Sequence, residues 1–118
     1  MADVNEKDWK LLRKKLPDWQ EAYMDKLIHE YIDLLRGEGN PSDRFWALEK
    51  RIRNDKKDNG VMVSDLRRSN MNFVFMGLLA EGAITMDDLK EFSDELKARM
   101  ARFLEDRERY AKWEEEDQ

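Results

Sequence analysis

The chain has 118 residues, 41% hydrophobic and 42% charged, with four Trp, five Phe and three Tyr and a formal net charge of −5. That aromatic content is foreign to a disordered polyelectrolyte, so the composition specifies one folded domain whose core is wrapped in charged faces. The acidic balance excludes a purely electrostatic grip on nucleic acid or anionic membrane, and the absence of cysteine excludes disulfides, thiolate chemistry and cysteine zinc sites while suiting a reducing cytosol.

The opening Met1-Ala2-Asp3-Val4-Asn5-Glu6 is polar and acidic, unlike a signal peptide. The longest stretch free of Asp, Glu, Lys and Arg, Ser69 to Ala80, falls short of the about 20 apolar residues of a membrane span. Pro17, Gly37-Glu38-Gly39-Asn40-Pro41, Asn59-Gly60 and Gly82 punctuate the chain into five segments with helical apolar spacing; only Gly60-Val61-Met62-Val63 is briefly strand-like. Segment one, from about Glu6 to Lys15, places Trp9, Leu12 and Leu16 on one face. Pro17 disfavours helical geometry at Leu16, which predicts a break and a new helix start.

Segment two, from about Asp18 to Arg36, carries Trp19, Tyr23, Leu27, Tyr31 and Leu34 in one row and Met24, Ile28, Ile32 and Leu35 in a second. So wide an apolar face predicts more than one neighbour. Segment three opens at Asn40-Pro41-Ser42-Asp43, with Asn40 or Ser42 as cap, and has Phe45, Leu48 and Ile52 as its stripe with Trp46 alongside. Segment four, from about Ser64 to Glu81, turns Leu66, Phe73, Val74, Gly77 and Leu78 one way and Met71, Phe75 and Leu79 another, so it belongs at the centre or at a subunit interface. Segment five starts at Thr85, where Thr85 and Asp88 resemble a capping box, and its stripe runs from Leu89 through Phe92, Leu96, Met100 and Phe103 to Tyr110 and Trp113. If unbroken it spans about 40 Å, long enough that its end either frays or docks elsewhere. The expectation is an all-α bundle of about five helices over residues 1–113: segments four and five form a central hairpin, segment two packs across them, Trp9, Trp19 and Trp46 lie in the core, and 114–118 is an acidic disordered tail.

Gly82-Ala83-Ile84-Thr85 followed by Asp87-Asp88-Leu89 resembles the short C-terminal domain family of bacteria, with Leu89 where that family prefers Phe and Phe92 where it prefers Lys. The likeness covers about a fifth of the chain and implies a helical hairpin: Gly stops one helix, Ile plugs the corner, Thr caps the next. Trp19-Gln20-Glu21-Ala22-Tyr23-Met24, Asn40-Pro41-Ser42-Asp43-Arg44-Phe45-Trp46 and Gly82-Ala83-Ile84-Thr85 together resemble a group of small helical bacterial proteins of no established activity. That resemblance implies a cytoplasmic accessory protein.

No constellation carries catalysis. His29 is the sole histidine; Asp25, His29 and Asp33 share one helix face, whereas a bundle metal site draws ligands from several helices. No nucleophile elbow or phosphate loop is present. Neither a catalytic centre, a metal nor a cofactor is expected. From Asp43 to Ser69 eight cations (Arg44, Lys50, Arg51, Arg53, Lys56, Lys57, Arg67, Arg68) meet five acids, an alternative nucleic-acid surface centred on Lys56, Lys57, Arg67 and Arg68. The preferred expectation is a non-enzymatic cytoplasmic interaction protein that binds another protein or itself as a homodimer, with Phe103, Tyr110 and Trp113 as anchors.

Overall fold

The computed structural model describes residues 5–116; Met1 to Val4, Asp117 and Gln118 lie outside the described residues. Four α-helices account for most of it: α1 (Glu6–Leu35), α2 (Pro41–Asp55), α3 (Met71–Glu81) and α4 (Asp94–Glu116). Single 3-10 turns precede α3 (Arg68–Asn70) and α4 (Met86–Leu89), and no strand occurs among the described residues, Gly60 to Val63 included. No helix among them is long and apolar enough to cross a membrane. The all-α class is as expected, but four helices stand where about five were predicted.

The missing boundary is Pro17, which lies inside a continuous α1 of 30 residues, with Leu16 helical and buried. A proline in a helix interior removes one hydrogen bond to the carbonyl four residues back and costs about 3 kcal/mol. Pro17 and Arg13 are both exposed, so water can take the orphaned Arg13 carbonyl. Burial of Leu12 and Leu16 on one side of the proline and of Tyr23 and Leu27 on the other offsets the local cost.

The core is formed by Trp9, Leu12 and Leu16 of α1 against Met71, Val74, Phe75, Leu78 and Leu79 of α3, closed by Ile84, Leu89 and Phe92 and by Leu96 and Met100 of α4. Phe75 meets Phe92 and Trp19 edge-on, with ring centroids 5.2 and 6.4 Å apart. The first half of α1, more than the segment-two half, therefore packs across the α3–α4 hairpin. Two expectations for segment four are corrected. The α-helix begins at Met71, not near Ser64, and Phe73 points into solvent at 73% exposure. An 11-residue helix with two neighbours on adjacent sides has one position per turn left over, and Phe73 occupies it. The second face of Met71, Phe75 and Leu79 is buried, so it is not a free contact surface.

The Gly82 corner forms as its residues imply. Gly82 is left-handed (φ 78°) and Ala83 N–H donates to the Leu78 carbonyl at 2.9 Å, closing α3. Ile84 is buried beneath the corner, and Thr85 N–H donates to Asp88 Oδ2 at 2.8 Å. Segment five is nonetheless not one helix from Thr85. It makes the 3-10 turn, drops Phe92 into the core, and restarts at Asp94. Ser93 caps the restart, its Oγ accepting from Leu96 N–H at 3.2 Å. Asp8, 98% buried in the first turn of α1, accepts from Ser93 N–H at 2.8 Å and from Ser93 Oγ–H at 2.5 Å. One carboxylate thus satisfies the α4 N-terminus and ties it to the start of α1.

The connection between α2 and α3 is held by a second polar clasp. Glu81 of α3 accepts from the Asn59 and Gly60 backbone N–H groups at 2.8 and 3.3 Å and from Asn59 Nδ2 at 3.0 Å, while Gln20 of α1 donates to the Asn59 carbonyl at 3.0 Å. Gly60 lies under the Tyr23 ring and Gly77 under the Asn59 side chain, where an added Cβ would overlap each partner. Desolvation raises the Glu81 carboxyl above its ordinary 4.5, outweighing the bonds that favour the anion. A raised carboxyl means that the folded state holds the proton longer than the unfolded chain. Stability contributed by Glu81 is then greatest below about pH 4.5 and declines as pH rises through the folded-state value. Urea denaturation of wild type and Glu81→Gln across pH 4 to 7 is expected to show this falling component in the wild type alone; a component that rises with pH would contradict it.

Candidate interaction surfaces

The radius of gyration is 17.2 Å, with principal extents of 54 × 40 × 24 Å. A close-packed domain of this length has a radius near 13–14 Å. The excess has two sources, both of which leave apolar side chains in water.

The first is the end of α4. Its last fully buried residue is Met100, yet the helix continues to Glu116. Phe103 is half-buried, with the Arg107 guanidinium 5.8 Å from its ring centroid. Tyr110 and Trp113 project at 60% and 58% exposure, one helical turn apart, with ring centroids 5.9 Å from each other. Whether this end folds back was open in the sequence; it projects. Glu114, Glu115 and Glu116 are helical, a correction to the disordered tail expected over 114–118.

The second is the α1–α2 hairpin. At about 1.5 Å per residue α1 is about 45 Å long and α3 about 16 Å, so α3 and α4 cover only the first half of α1. Beyond Leu27 it packs mainly on α2, which contains no fully buried residue. Tyr31 Oη–H donates to Asp55 Oδ2 at 2.6 Å, and Arg51 bridges Asp55 at 3.0 Å and Glu30 at 2.5 Å. Burial and the Asp55 bond push the Tyr31 hydroxyl up to about 12, and Tyr23, which donates to Asp58 Oδ2 at 2.7 Å, is raised for the same reasons. These bonds join one side of the hairpin.

The other side is apolar and open. Ile28, Ile32 and Leu35 on α1 and Phe45, Trp46 and Ile52 on α2 are 38–63% exposed. Phe45 and Trp46 stack edge-on at 5.0 Å. A cleft of about 180 Å³ between the helices is lined by Met24, Leu27, Ile28, Tyr31, Ile52 and Val61, with Asp55 and Lys56 at its edge. That volume is below the range of small-molecule sites and suits one inserted side chain. The expected burial of Trp46 and of the Phe45 stripe is therefore corrected. The signal that could have found this surface was the double apolar row of segment two, which is wider than one short helix can cover.

The remaining candidates are placed apart from these. Of the eight cations between Asp43 and Ser69, Arg44 donates to the Gly37 carbonyl, Arg51 binds Glu30 and Asp55, Arg53 binds Glu49, Arg67 binds Asp65, and Arg68 binds Glu6 beside the Trp9 ring. Lys56 and Lys57 are exposed at the end of α2, and Arg67 and Arg68 stand before α3, with a long loop between them in place of a tight helix-turn-helix. His29 is exposed, its Nδ1–H donating to the Asp25 carbonyl at 2.8 Å. Among the described residues no group of three or more His, Asp or Glu side chains is gathered as ligands for a metal. Ser93, whose hydroxyl bonds the Asp8 carboxylate, is committed to helix capping.

Compared with known proteins, the chain matches no family model, no curated protein and no solved structure.

Proposed function

We propose that this chain is a non-enzymatic, cytoplasmic interaction protein that uses the projecting end of α4, with Phe103, Tyr110 and Trp113 as anchors, to hold a protein partner. The observation that carries this reading is the pair of aromatic rings left in water on a helix that has already outrun its own core. Large aromatics are over-represented among residues that dominate binding energy, because they bury much area for little lost rotamer freedom. The charged residues beside them (Glu105, Glu108, Arg109, Lys112) keep such an end soluble when unbound and supply a polar rim when bound.

Truncating an anchor of this kind costs about 2 kcal/mol of binding, or about thirtyfold in Kd. Trp113→Ala is expected to weaken capture of the partner from host extract, or self-association in sedimentation, by that order, with helical circular dichroism and denaturation midpoint unchanged. Undiminished capture and self-association by Trp113→Ala would overturn this assignment. The nucleic-acid alternative through Lys56, Lys57, Arg67 and Arg68 is less favoured, because five of the eight cations in that stretch already have partners within the chain. If it were correct, affinity for duplex DNA would fall steeply with salt and with charge reversal at those four positions.

A further inference from the structure

The outward face of the α1–α2 hairpin is separate from the α4 end and carries a pattern of its own. Helical periodicity sets Glu21 and Asp25 beside the exposed Ile28 and Ile32 row of α1, with Arg36 and then Asp33 turned further round. On α2, Lys56 stands next to Ile52 at the rim of the cleft, and Arg53, Lys57 and Lys50 follow progressively further round the helix, offset by Glu49. The face is thus mostly acidic along α1, mostly basic along α2, and apolar where the two helices meet.

We propose that this face binds a second copy of the chain, about a twofold axis running parallel to the two helices. Such an axis lays α1 of one protomer over α2 of the other, and each apolar floor covers its twin. The helices of the hairpin are antiparallel, and the shared cleft places Ile28 level with Ile52. At that register Asp25 of one copy comes opposite Lys56 of the second, and Glu21 falls near Lys57. Each of these opposite-charge pairs therefore occurs twice, as a closed isologous interface requires. The other face-to-face arrangement, with the axis across the helices, stacks α1 on α1 and sets acid against acid. A foreign partner would explain the apolar floor but not why the charges along the two helices are complementary.

The experiment is sedimentation velocity on the full chain over a concentration series, with circular dichroism confirming the helical fold of each variant. Wild type is expected to form dimers at about 10 μM. Asp25→Lys alone and Lys56→Glu alone, both at exposed positions, each place like charges opposite one another and are expected to raise the dimer dissociation constant about tenfold. The double variant restores the attraction with the signs reversed and is expected to return toward wild type. A monomeric wild type at about 200 μM would overturn the proposal, as would a dimer indifferent to both swaps or a double variant as weak as the sum of its singles. A dimer indifferent to these swaps but lost in Trp113→Ala would transfer self-association to α4, which keeps the two surfaces distinguishable.

Discussion

Phe75→Ala is expected to destabilise the fold by about 3–5 kcal/mol, among the largest effects of a single truncation in the core. Phe75 is fully buried, and its ring lies between Phe92 and Trp19 at the junction of α3, α1 and the turn before α4. Removing it takes away the apolar area and two edge-on aromatic contacts, and leaves a cavity walled by three elements that cannot all move inward. A domain of ordinary stability has about 5–15 kcal/mol in total, so the variant will be partly unfolded at ambient temperature if the protein is at the low end. Phe73, two residues earlier on the opposite side of the same helix, is the control. At 73% exposure its alanine variant should fall within about 0.5 kcal/mol of wild type. Chemical denaturation of the two variants side by side tests which face of α3 is core. Equal losses would mean that α3 is rotated or that Phe73 is covered in an assembly.

The contrast between these two phenylalanines also shows where the sequence stops being informative. Spacing identifies α3 as apolar nearly all round, but with Phe73, Phe75, Leu78 and Leu79 all present, periodicity does not choose the face that loses. That choice is made by neighbours distant in sequence. The Gly82 corner, by contrast, was legible: Gly82, Ile84, Thr85 and Asp88 form it because every bond in it spans a few residues, although the helix expected from Thr85 is a 3-10 turn. The reading of Pro17 failed for the opposite reason. A proline penalty of about 3 kcal/mol is a local quantity, and it was outweighed by rows of side chains buried on both sides of it.

That one boundary propagated into the reading of the surface. With a break at Pro17, segment two is free to pack across the α3–α4 hairpin and Trp46 is expected in the core. With α1 continuous, the hairpin extends past the reach of α3 and α4 and leaves Phe45 and Trp46 in solvent. The α4 end was legible as a candidate because Tyr110 and Trp113 sit among charges after the supply of partners has run out. The hairpin face was hidden because its exposure depends on the length of α1.

A second large effect is expected at Asp8, which no local pattern singled out because its partner is Ser93, far along the chain. Asp8→Ala should cost about 3 kcal/mol, since hydrogen bonds to a charged group contribute about 1.5–3 kcal/mol each and a buried donor is left unmatched. Both bonds converge on one residue: Ser93 N–H at 2.8 Å and Ser93 Oγ–H at 2.5 Å, with the same Oγ accepting from Leu96 N–H at 3.2 Å. Deleting the carboxylate therefore unsettles the α4 cap as well as the contact with α1. Asp8→Asn keeps one carbonyl oxygen in place and loses the charge and the second acceptor, so an intermediate loss is expected. Ser93→Ala removes the cap and the hydroxyl bond but leaves the backbone donor. In the double variant the two losses should fall short of their sum by about 1–3 kcal/mol, because either change breaks the same bond. Hydrogen exchange adds a readout that a general loss of stability does not mimic: amides of the first turn of α4 should be deprotected more than those of α3. Additive losses with uniform deprotection would mean that Asp8 is tolerated in the core without organising the start of α4.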